Sequence, residues 1–352
     1  MLSYLHKLVS VRTTCLAATL GAASFVGSGA AACTPTYTVQ AGDTLFAIAE
    51  DNLGDVNKWS LIFYGNPALE GTNITDLPAG AVIEIPCVPD KVVLAPDPTP
   101  LKQSNAELTL VTGSNYAPFV DLNWAGQGMA TEIVNASLEN MPSPVTYSIQ
   151  WENDWSKHLD PMLSNKSVDM GFPWYRPDCV STPEDTLCSD FHFSDPLIDL
   201  VFLFFVRSDS GIVFDVDSDM HGKIICRPEG ALTHDLDRVG RQWLSKGLVL
   251  LVQAPTAQSC FEQLAAGKVD AVSVNEFLGV KTMFDLGITD RIVPLPRPVS
   301  VEGMHVVISK SHWRGTTHIF RFNAGLAKLK QTEKYNEIVQ RHLALFWEQI
   351  RS

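Results

Sequence analysis

One stretch near the N-terminus constrains the fold most, because turn and helix signals follow each other there in a fixed order. Residues 37–45 read Tyr-Thr-Val-Gln-Ala-Gly-Asp-Thr-Leu, Asn66-Pro67 follows, and residues 77–86 read Leu-Pro-Ala-Gly-Ala-Val-Ile-Glu-Ile-Pro. Asp43 or Thr44 can accept a hydrogen bond from the first-turn amides of a helix. An apolar helical stripe follows at Leu45, Ile48 and Ala49. The stretch therefore predicts a short strand, two helices and a closing strand.

The order and residue types of this stretch resemble a LysM domain, a small module that binds N-acetylglucosamine-containing cell-wall glycan. The resemblance covers residues 37–86 and predicts a βααβ module at residues 33–87 that binds peptidoglycan. Thr44 can equally serve as a helix cap, and Ile74 can belong to the core. The glycan-binding residues that the resemblance implies are Gly42, Asp43, Thr44, Leu45, Ile74 and Leu77.

The first 32 residues predict a secretory signal peptide. His6, Lys7 and Arg12 form a basic region, residues 14–26 are small and apolar, and a cleavage site follows. The apolar stretch is too short for a comfortable membrane span, so we expect a periplasmic protein. Cys33 matches a lipid-anchored cysteine poorly, because three alanines precede it. A disulfide is the alternative role for Cys33.

Cysteine usage favours an oxidising compartment, because an even number of the seven cysteines remains after Cys15 leaves with the signal. Many pairings of the remaining cysteines are possible. A metal site is the rival interpretation, but no Cys-x-x-Cys or paired histidine spacing supports it. The first favoured pair brackets the N-terminal module, whose terminal strands should lie side by side. The favoured pairs are Cys33–Cys87, Cys179–Cys188 and Cys226–Cys260.

The composition argues against nucleic acid as a partner. The chain has 352 residues, enough for two or three domains, and a formal net charge of −13. Phosphate binding calls for clustered Lys and Arg, and the sequence has no basic run. Residues 88–105 are rich in proline and lack periodicity, so they predict a linker that lets the two parts of the chain work independently.

From residue 107 onward, predicted strands and helices alternate, which indicates an α/β fold. Ser259 and Glu262 predict a helix start, and Gly267 predicts the end of that helix. The predicted strands cover residues 108–112, 168–172, 197–207, 223–226, 249–252, 269–274 and 304–309. The predicted helices cover residues 128–140, 155–163, 233–244, 259–266, 275–286 and 317–346, the last with a break near Thr332.

The order of these pieces resembles the type II periplasmic solute-binding fold, particularly the amino-acid-binding family. The resemblance covers residues 108–347 and implies two lobes that close over a ligand. Lobe 1 is expected at about residues 106–207 and 302–352, and lobe 2 at about residues 208–301, with crossings near residues 205–209 and 299–304. The matching segments are residues 115–119, 126–128, 163–170, 193–197, 221–226 and 264–272.

The resemblance places the ligand site at strand ends that face the cleft between the lobes. Aromatic side chains there stack on a ligand, and Arg176 binds a ligand carboxylate through two hydrogen bonds. Phe119 can instead belong to the core, Arg176 can pair with a surface acid, and Thr233 can serve only as a helix cap. The candidate residues are Tyr116, Phe119, Trp174, Tyr175, Arg176, Arg227, Glu229, Gly230, Thr233, His234, Asn275 and Glu276.

Asn275 departs from the family pattern. Amino-acid-binding relatives place an Asp there to pair with the ligand's ammonium group, and Asn275 lacks that charge, although Glu276 follows it. A carboxylate, a neutral amide or a glycan fragment is therefore expected as readily as an α-amino acid. Residues 226–235 predict a strand, a Gly loop and a helix N-terminus, whose free amides attract anions.

The sequence predicts a binding protein and not an enzyme. Acids such as Glu152 and Asp154, or Ser194-Asp195 near His192, are scattered, and no nucleophile elbow, phosphate loop or zinc helix accompanies them. The leading hypothesis is a periplasmic solute-binding protein, held at peptidoglycan, that passes an amino-acid-like or carboxylate solute to an ABC transporter permease. The alternative is a ligand-sensing regulatory or scaffold protein that acts on a sensor or a cell-wall enzyme. No cofactor or metal is expected.

Overall fold

The structure is a computed structural model that describes residues 36–69, 74–86 and 106–351. The predicted signal peptide, the Cys33–Cys87 pair and the linker at residues 88–105 lie outside the described residues. The strands are β1 (Thr36–Thr38), β2 (Val82–Glu84), β3 (Leu108–Thr112), β4 (Tyr147–Trp151), β5 (Met170–Tyr175), β6 (Phe191–Phe193), β7 (Ile198–Arg207), β8 (Ile224–Pro228), β9 (Leu250–Ala254), β10 (Ala271–Asn275), β11 (Ile292–Pro294) and β12 (Ser300–Ser309). The helices are α1 (Leu45–Leu53), α2 (Trp59–Gly65), α3 (Met129–Glu139), α4 (Thr186–Asp190), α5 (Ala257–Ala265), α6 (Glu276–Leu286), α7 (Gly315–Lys330) and α8 (Glu333–Arg351).

Residues 36–69 and 74–86 form the N-terminal module, in which two helices lie between two short paired strands. Strands β1 and β2 pair antiparallel, so the module has the βααβ order that its sequence predicts. The Thr44 side chain accepts a hydrogen bond from a first-turn amide and caps α1. The rings of Phe46 and Trp59 stack with their centroids 5.3 Å apart and fill the core between the helices.

Beyond residue 106, ten strands form one mixed sheet in the order β4-β3-β5-β12-β7-β10-β8-β9, with β11 beside β7 and β6 beside β12. Strands β3, β4 and β5 pair in parallel, and so do β8, β9 and β10. Each parallel group carries its own helices and forms a lobe. Lobe 1 contains β3–β6 with α3, α4, α7 and α8, and lobe 2 contains β8–β11 with α5 and α6. The α/β architecture with two lobes is therefore as predicted.

Two long strands, β7 and β12, join the lobes. They pair antiparallel from Ile198 opposite Met304 to Phe202 opposite Ser300. Strand β7 then continues into lobe 2 beside β10, and β12 continues into lobe 1 beside β5. The first crossing therefore comes before the predicted residues 205–209, because β7 is already paired with strands of lobe 2 there.

The long helices match their predicted positions, including the break between α7 and α8 near Thr332. The exception is the helix predicted at residues 233–244, which is wrong. Only a short 3₁₀ turn at His234–Leu236 forms, and Gly240 has a φ of +94°, outside the helical region. Asp237 accepts hydrogen bonds from the amides of Leu244 and Ser245, so its side chain stabilises a turn in place of a helix.

Helix α5 begins slightly earlier than predicted. Thr256 accepts a hydrogen bond from the Ser259 amide, so Thr256 is the cap and Ser259 already lies inside the helix. Among the described residues, two disulfides link cysteines in two of the three pairs that the sequence favoured. Cys179–Cys188 closes the loop between β5 and α4, and Cys226–Cys260 joins β8 to α5.

The N-terminal module packs directly against both lobes. Helix α2 lies against α8 of lobe 1. At the end of α2, the Tyr64 ring packs on Phe277 of lobe 2 with ring centroids 5.9 Å apart. The Tyr64 hydroxyl donates a hydrogen bond to Glu276 Oε1 at 2.5 Å. The expectation that the module works independently is therefore wrong, because these contacts join it to the two-lobed domain.

Candidate functional site

A cleft of about 1010 Å³ lies between the two lobes, and its walls come from loops that follow strands of both lobes. Its volume is near the upper end of the ~300–1,000 Å³ typical of ligand pockets. Lobe 1 contributes Asn115, Tyr116, Trp155, Pro173, Trp174, Tyr175, Pro177, Thr182, Asp185 and Leu187. Lobe 2 contributes Pro228, Gly230, Ala231, Leu232, Thr233, His234, Asp237, Leu244, Pro255 and Thr256.

Tryptophans form much of the lobe 1 wall. Trp155 and Trp174 meet edge to face with ring centroids 6.0 Å apart. Gly113, at the end of β3, makes room for this pair, because a Cβ there would lie 2.6 Å from the Trp155 ring. Flat aromatic faces with few charged neighbours suit a solute that can stack on them.

A hydrogen-bonded group of Tyr116, Tyr175 and Asn275 connects the lobes beside the cleft. The two tyrosine hydroxyls of lobe 1 lie 2.9 Å apart, and Asn275 Nδ2 of lobe 2 donates to Tyr116 Oη at 3.1 Å. Burial raises the Tyr116 pKa to about 12 and the Tyr175 pKa well above its ordinary value, so both hydroxyls keep their protons. The Asn275 Oδ1 atom meanwhile caps α6 by accepting a hydrogen bond from the Leu278 amide.

Asn275 therefore contacts residues of the protein at the place where the resemblance implied an ammonium-binding acid. Its side chain is almost fully buried behind Tyr116 and Tyr175, and it does not line the cleft. Among the residues of the cleft wall that the structure describes, the charged or titratable ones besides the two tyrosines are Asp185, Asp237 and His234, and none is a Lys or an Arg. Such a wall lacks an arginine, whose guanidinium can bind both oxygens of a ligand carboxylate.

Arg227 was predicted to contact the ligand, but the structure places it outside the cleft lining. Its guanidinium is fully buried, pairs with both carboxylate oxygens of Asp235 at 2.6 and 2.7 Å, and donates to Ser273 Oγ. Ser300 Oγ donates to the same Asp235 carboxylate. Burial raises the Asp235 pKa, but the Arg227 charge outweighs it, so this pKa is lowered overall. The pair positions the loop of residues 230–237, which lines the cleft.

Arg176, Phe119 and Glu229 also fall outside the cleft. Arg176 is exposed, and its guanidinium lies over the Phe193 ring at 6.0 Å from the ring centroid. Phe119 is fully buried and packs edge to face on Phe277, which is the core role that the sequence left open. Glu229 points into solvent beside the Gly230 turn.

Glu276 was predicted near the ligand, but it lies at the contact with the N-terminal module. Its Oε1 atom accepts the hydrogen bond from Tyr64, and its Oε2 atom is buried without a hydrogen bond among the described residues. Burial raises the Glu276 pKa to about 8, so the side chain is largely neutral at pH 7. A neutral carboxyl that is buried away from the cleft gives no charge to a ligand.

The structure places half of the candidate residues at the cleft wall, where ligand contact stays a prediction. His234 Nε2 also lies 3.2 Å from Glu302 Oε2 on the crossing strand β12, and Arg238 bonds the same carboxylate. This contact ties the lobe 2 wall to the hinge. The candidates on the wall are Tyr116, Trp174, Tyr175, Gly230, Thr233 and His234.

Sequence reasoning missed several cleft residues. Trp155 precedes an irregular turn that ends as a short π-helix. It does not lie at a strand end, so the strand pattern gave no reason to place it at the cleft. Asp185 and Thr256 are helix caps, and their capping pattern was the sequence signal that could have identified them. Thr182 lies in the loop that the Cys179–Cys188 disulfide closes.

In the N-terminal module, three of the six expected glycan-binding residues are core residues. Leu45, Ile74 and Leu77 are at most 5% exposed, so their side chains are buried. Gly42 lies at an exposed turn with a φ of +91°, and Asp43 accepts two local hydrogen bonds that hold this turn. Glycan contact at this exposed turn stays a prediction.

Among the described residues, no group of three or more His, Cys, Asp or Glu side chains could hold a metal ion. Residues 36–69, 74–86 and 106–351 also contain no helix with the length and hydrophobicity that a membrane span needs.

Neither a protein-family model nor a curated protein sequence matches this chain. Solved structures do match. A histidine kinase sensor domain with similarity to periplasmic binding proteins aligns over 66% of this chain and 94% of its own, with 22% identity and a TM-score of 0.51. The VFT2 domain of Bordetella pertussis BvgS, as a double mutant, aligns over 66% and 92%, with 13% identity and a TM-score of 0.50. Together with the sheet order, these likenesses show that the chain has the two-lobed α/β fold of periplasmic binding proteins.

Proposed function

We propose that this protein binds one small polar solute in the cleft between its lobes, outside the cytoplasm. The observation that carries the proposal is the cleft itself, which is about 1010 Å³ in volume and is lined by two tryptophans and two tyrosines. The two crossing strands β7 and β12 give the lobes a hinge. A solute that contacts both walls would favour the closed arrangement.

The wall chemistry favours a neutral or cationic solute. The described residues that line the cleft include carboxylates at Asp185 and Asp237 but no lysine or arginine. The Asp237 carboxylate already accepts hydrogen bonds from two amides and a hydroxyl, and Asp185 caps α4. Stacking on Trp155 and Trp174 and hydrogen bonds to backbone groups of the Gly230 turn would then supply most of the affinity. Neutral amides and glycan fragments fit this wall better than carboxylates.

Titration calorimetry with three groups of metabolites tests the proposal: neutral amides and sugars, amines, and carboxylates. We expect saturable binding within the first two groups, and Trp174→Ala to weaken it at least about tenfold by removing the stacking surface. Trp313→Ala is the matched control, because Trp313 is 77% exposed and does not line the cleft. Thermal unfolding of both variants checks that they fold. The proposal fails if folded protein binds no metabolite, or if both variants bind with equal affinity.

We also propose that the N-terminal module attaches the protein to peptidoglycan in the periplasm. The support is its βααβ order and the exposed turn at Gly42 and Asp43. Co-sedimentation of the purified chain with murein sacculi tests this role, and soluble N-acetylglucosamine oligomers should compete. Sedimentation that such oligomers leave unchanged would count against glycan recognition.

We propose two roles for solute binding. In the first, the protein delivers the solute to an ABC transporter permease. In the second, it senses the solute as a ligand. The specific observation that favours sensing or scaffolding is the docked module, because α2 contacts α8 of lobe 1 while Tyr64 contacts Glu276 of lobe 2. A module that touches both lobes is placed to respond to their movement. Cross-linking in cells followed by pull-down distinguishes the two roles. A permease as the captured partner favours transport, and a sensor or cell-wall enzyme as the captured partner favours regulation.

A further inference from the structure

A second cavity, of about 290 Å³, lies where the N-terminal module meets the crossing strands and the C-terminal helix. It shares no lining residue with the cleft between the lobes. Its volume is at the lower end of the ~300–1,000 Å³ range of ligand pockets. The lining residues are Phe63, Tyr64, Pro67 and Ile74 from the module, Ile198, Asp199 and Val301 from β7 and β12, Pro298 from lobe 2, and Tyr335, Asn336 and Val339 from α8.

The wall of this junction cavity is apolar and aromatic except at two side chains. Among the lining residues that the structure describes, Asp199 is the single carboxylate, Asn336 is the single amide, and none is a Lys, Arg or His. Within the described residues, neither side chain has a hydrogen bond or an ion pair. Buried and half-buried polar groups in proteins usually have such partners. Asp199 and Asn336 are therefore available to a bound molecule.

The surroundings of Asp199 give its charge no permanent partner. Asp199 lies opposite Gly303 on β12, and a Cβ at Gly303 would come within 3.1 Å of Asp199 Oδ1. A titratable neighbour across that glycine is His305, whose pKa is lowered chiefly by burial even though Asp199 acts to raise it. A neutral imidazole leaves the carboxylate uncompensated, so the cavity favours a positive charge.

We propose that the junction cavity binds a small organic amine with an apolar body. Its ammonium group would pair with the Asp199 carboxylate and donate to the Asn336 carbonyl oxygen. Its apolar body would pack on the rings of Phe63, Tyr64 and Tyr335, which also attract a nearby cation through their faces. This site is separate from the cleft, and it does not depend on the solute proposed there.

A molecule in this cavity would contact the module and both crossing strands at once. It would therefore stabilise the docked module, and the unfolding temperature would rise with ligand concentration according to the affinity. A ligand that bound only to the cleft would not respond to changes at Asp199.

Three probes of matched shape test the proposal: 2-phenylethylamine, 2-phenylethanol and phenylacetate, each titrated into the purified full chain by calorimetry and thermal shift. We expect the amine to bind at least about tenfold more tightly than the alcohol, because the ion pair adds a charge-assisted hydrogen bond, and phenylacetate not to bind. Asp199→Asn should reduce the amine's affinity to that of the alcohol. Asp195→Asn is the matched control, because Asp195 is exposed and lines neither cavity, and it should leave binding unchanged.

A second variant keeps the test informative if Asp199→Asn folds poorly. Val301 is 47% exposed at the cavity, so Val301→Phe should narrow the cavity without disturbing the core and should abolish binding of the amine. Equal affinity for the amine and the alcohol overturns the proposal, and so does amine binding that survives both variants. Amine binding that Trp174→Ala removes, but Asp199→Asn leaves intact, would place the molecule in the cleft and also overturn it.

Discussion

Replacing Glu276 by glutamine should remove a large part of the pH dependence of stability. Glu276 is 3% exposed, and burial raises its pKa from an ordinary 4.5 to about 8. One pKa unit corresponds to about 1.4 kcal/mol, so the native state loses up to about 5 kcal/mol when this carboxyl must ionise. Glutamine has nearly the same shape and can still accept the hydrogen bond from Tyr64, but it has no proton to lose.

The sign of the effect follows from the raised pKa. Below about pH 4.5 the carboxyl is protonated in both the folded and the unfolded chain, and its contribution to stability is complete. As the pH rises toward about 8, the unfolded chain releases the proton while the folded chain keeps it, so the free energy of unfolding falls. Above that pH, this group causes no further change.

Urea unfolding followed by tryptophan fluorescence, at several values between about pH 5 and pH 8, measures the effect. We expect Glu276→Gln to gain stability over the unaltered protein steadily through this range, by about 3–4 kcal/mol. Glu262→Gln is the control, because Glu262 is exposed on α5, and its profile should follow that of the unaltered protein. Parallel profiles for Glu276→Gln and the unaltered protein would refute the reasoning, since they would mean that Glu276 ionises normally.

Three further changes act on buried contacts, and urea unfolding measures each. Asp235→Ala leaves Arg227 as an unpaired buried charge and should cost about 3–5 kcal/mol, whereas a loss under about 1 kcal/mol would show that water reaches the site. Removing the Cys226–Cys260 disulfide by a double change to alanine should cost about 2–4 kcal/mol, and no change would mean that the unfolded chain is already compact. Gly325→Ala should cost about 1–3 kcal/mol, because a Cβ there lies 2.1 Å from a carbonyl oxygen of α3; full stability would mean that the helices separate freely.

The part of the site that the sequence predicted follows from local rules. Strand ends of an α/β sheet meet at one edge, so Tyr116, Trp174 and Tyr175 could be placed near the cleft from the strand pattern together with the resemblance to periplasmic solute-binding proteins. The same rule failed for Arg227 and Glu276, although Arg227 lies at the end of β8 and Glu276 directly follows β10. Their side chains are buried by partners distant in sequence, and no local pattern indicates which partner will cover a charge.

The sequence by itself determined the α/β alternation of the chain and the βααβ order of the N-terminal module, and the two lobes were implied by its resemblance to periplasmic solute-binding proteins. The alternation and the βααβ order depend on periodicity, caps and turns, which act over a few residues. Only the tertiary structure decided that the module docks on both lobes, that Tyr64 covers Glu276, and that Asn275 bonds to two tyrosines across the lobes. The reason is physical: burial and pairing of polar groups depend on which surfaces meet, and surfaces far apart in the chain meet only after folding.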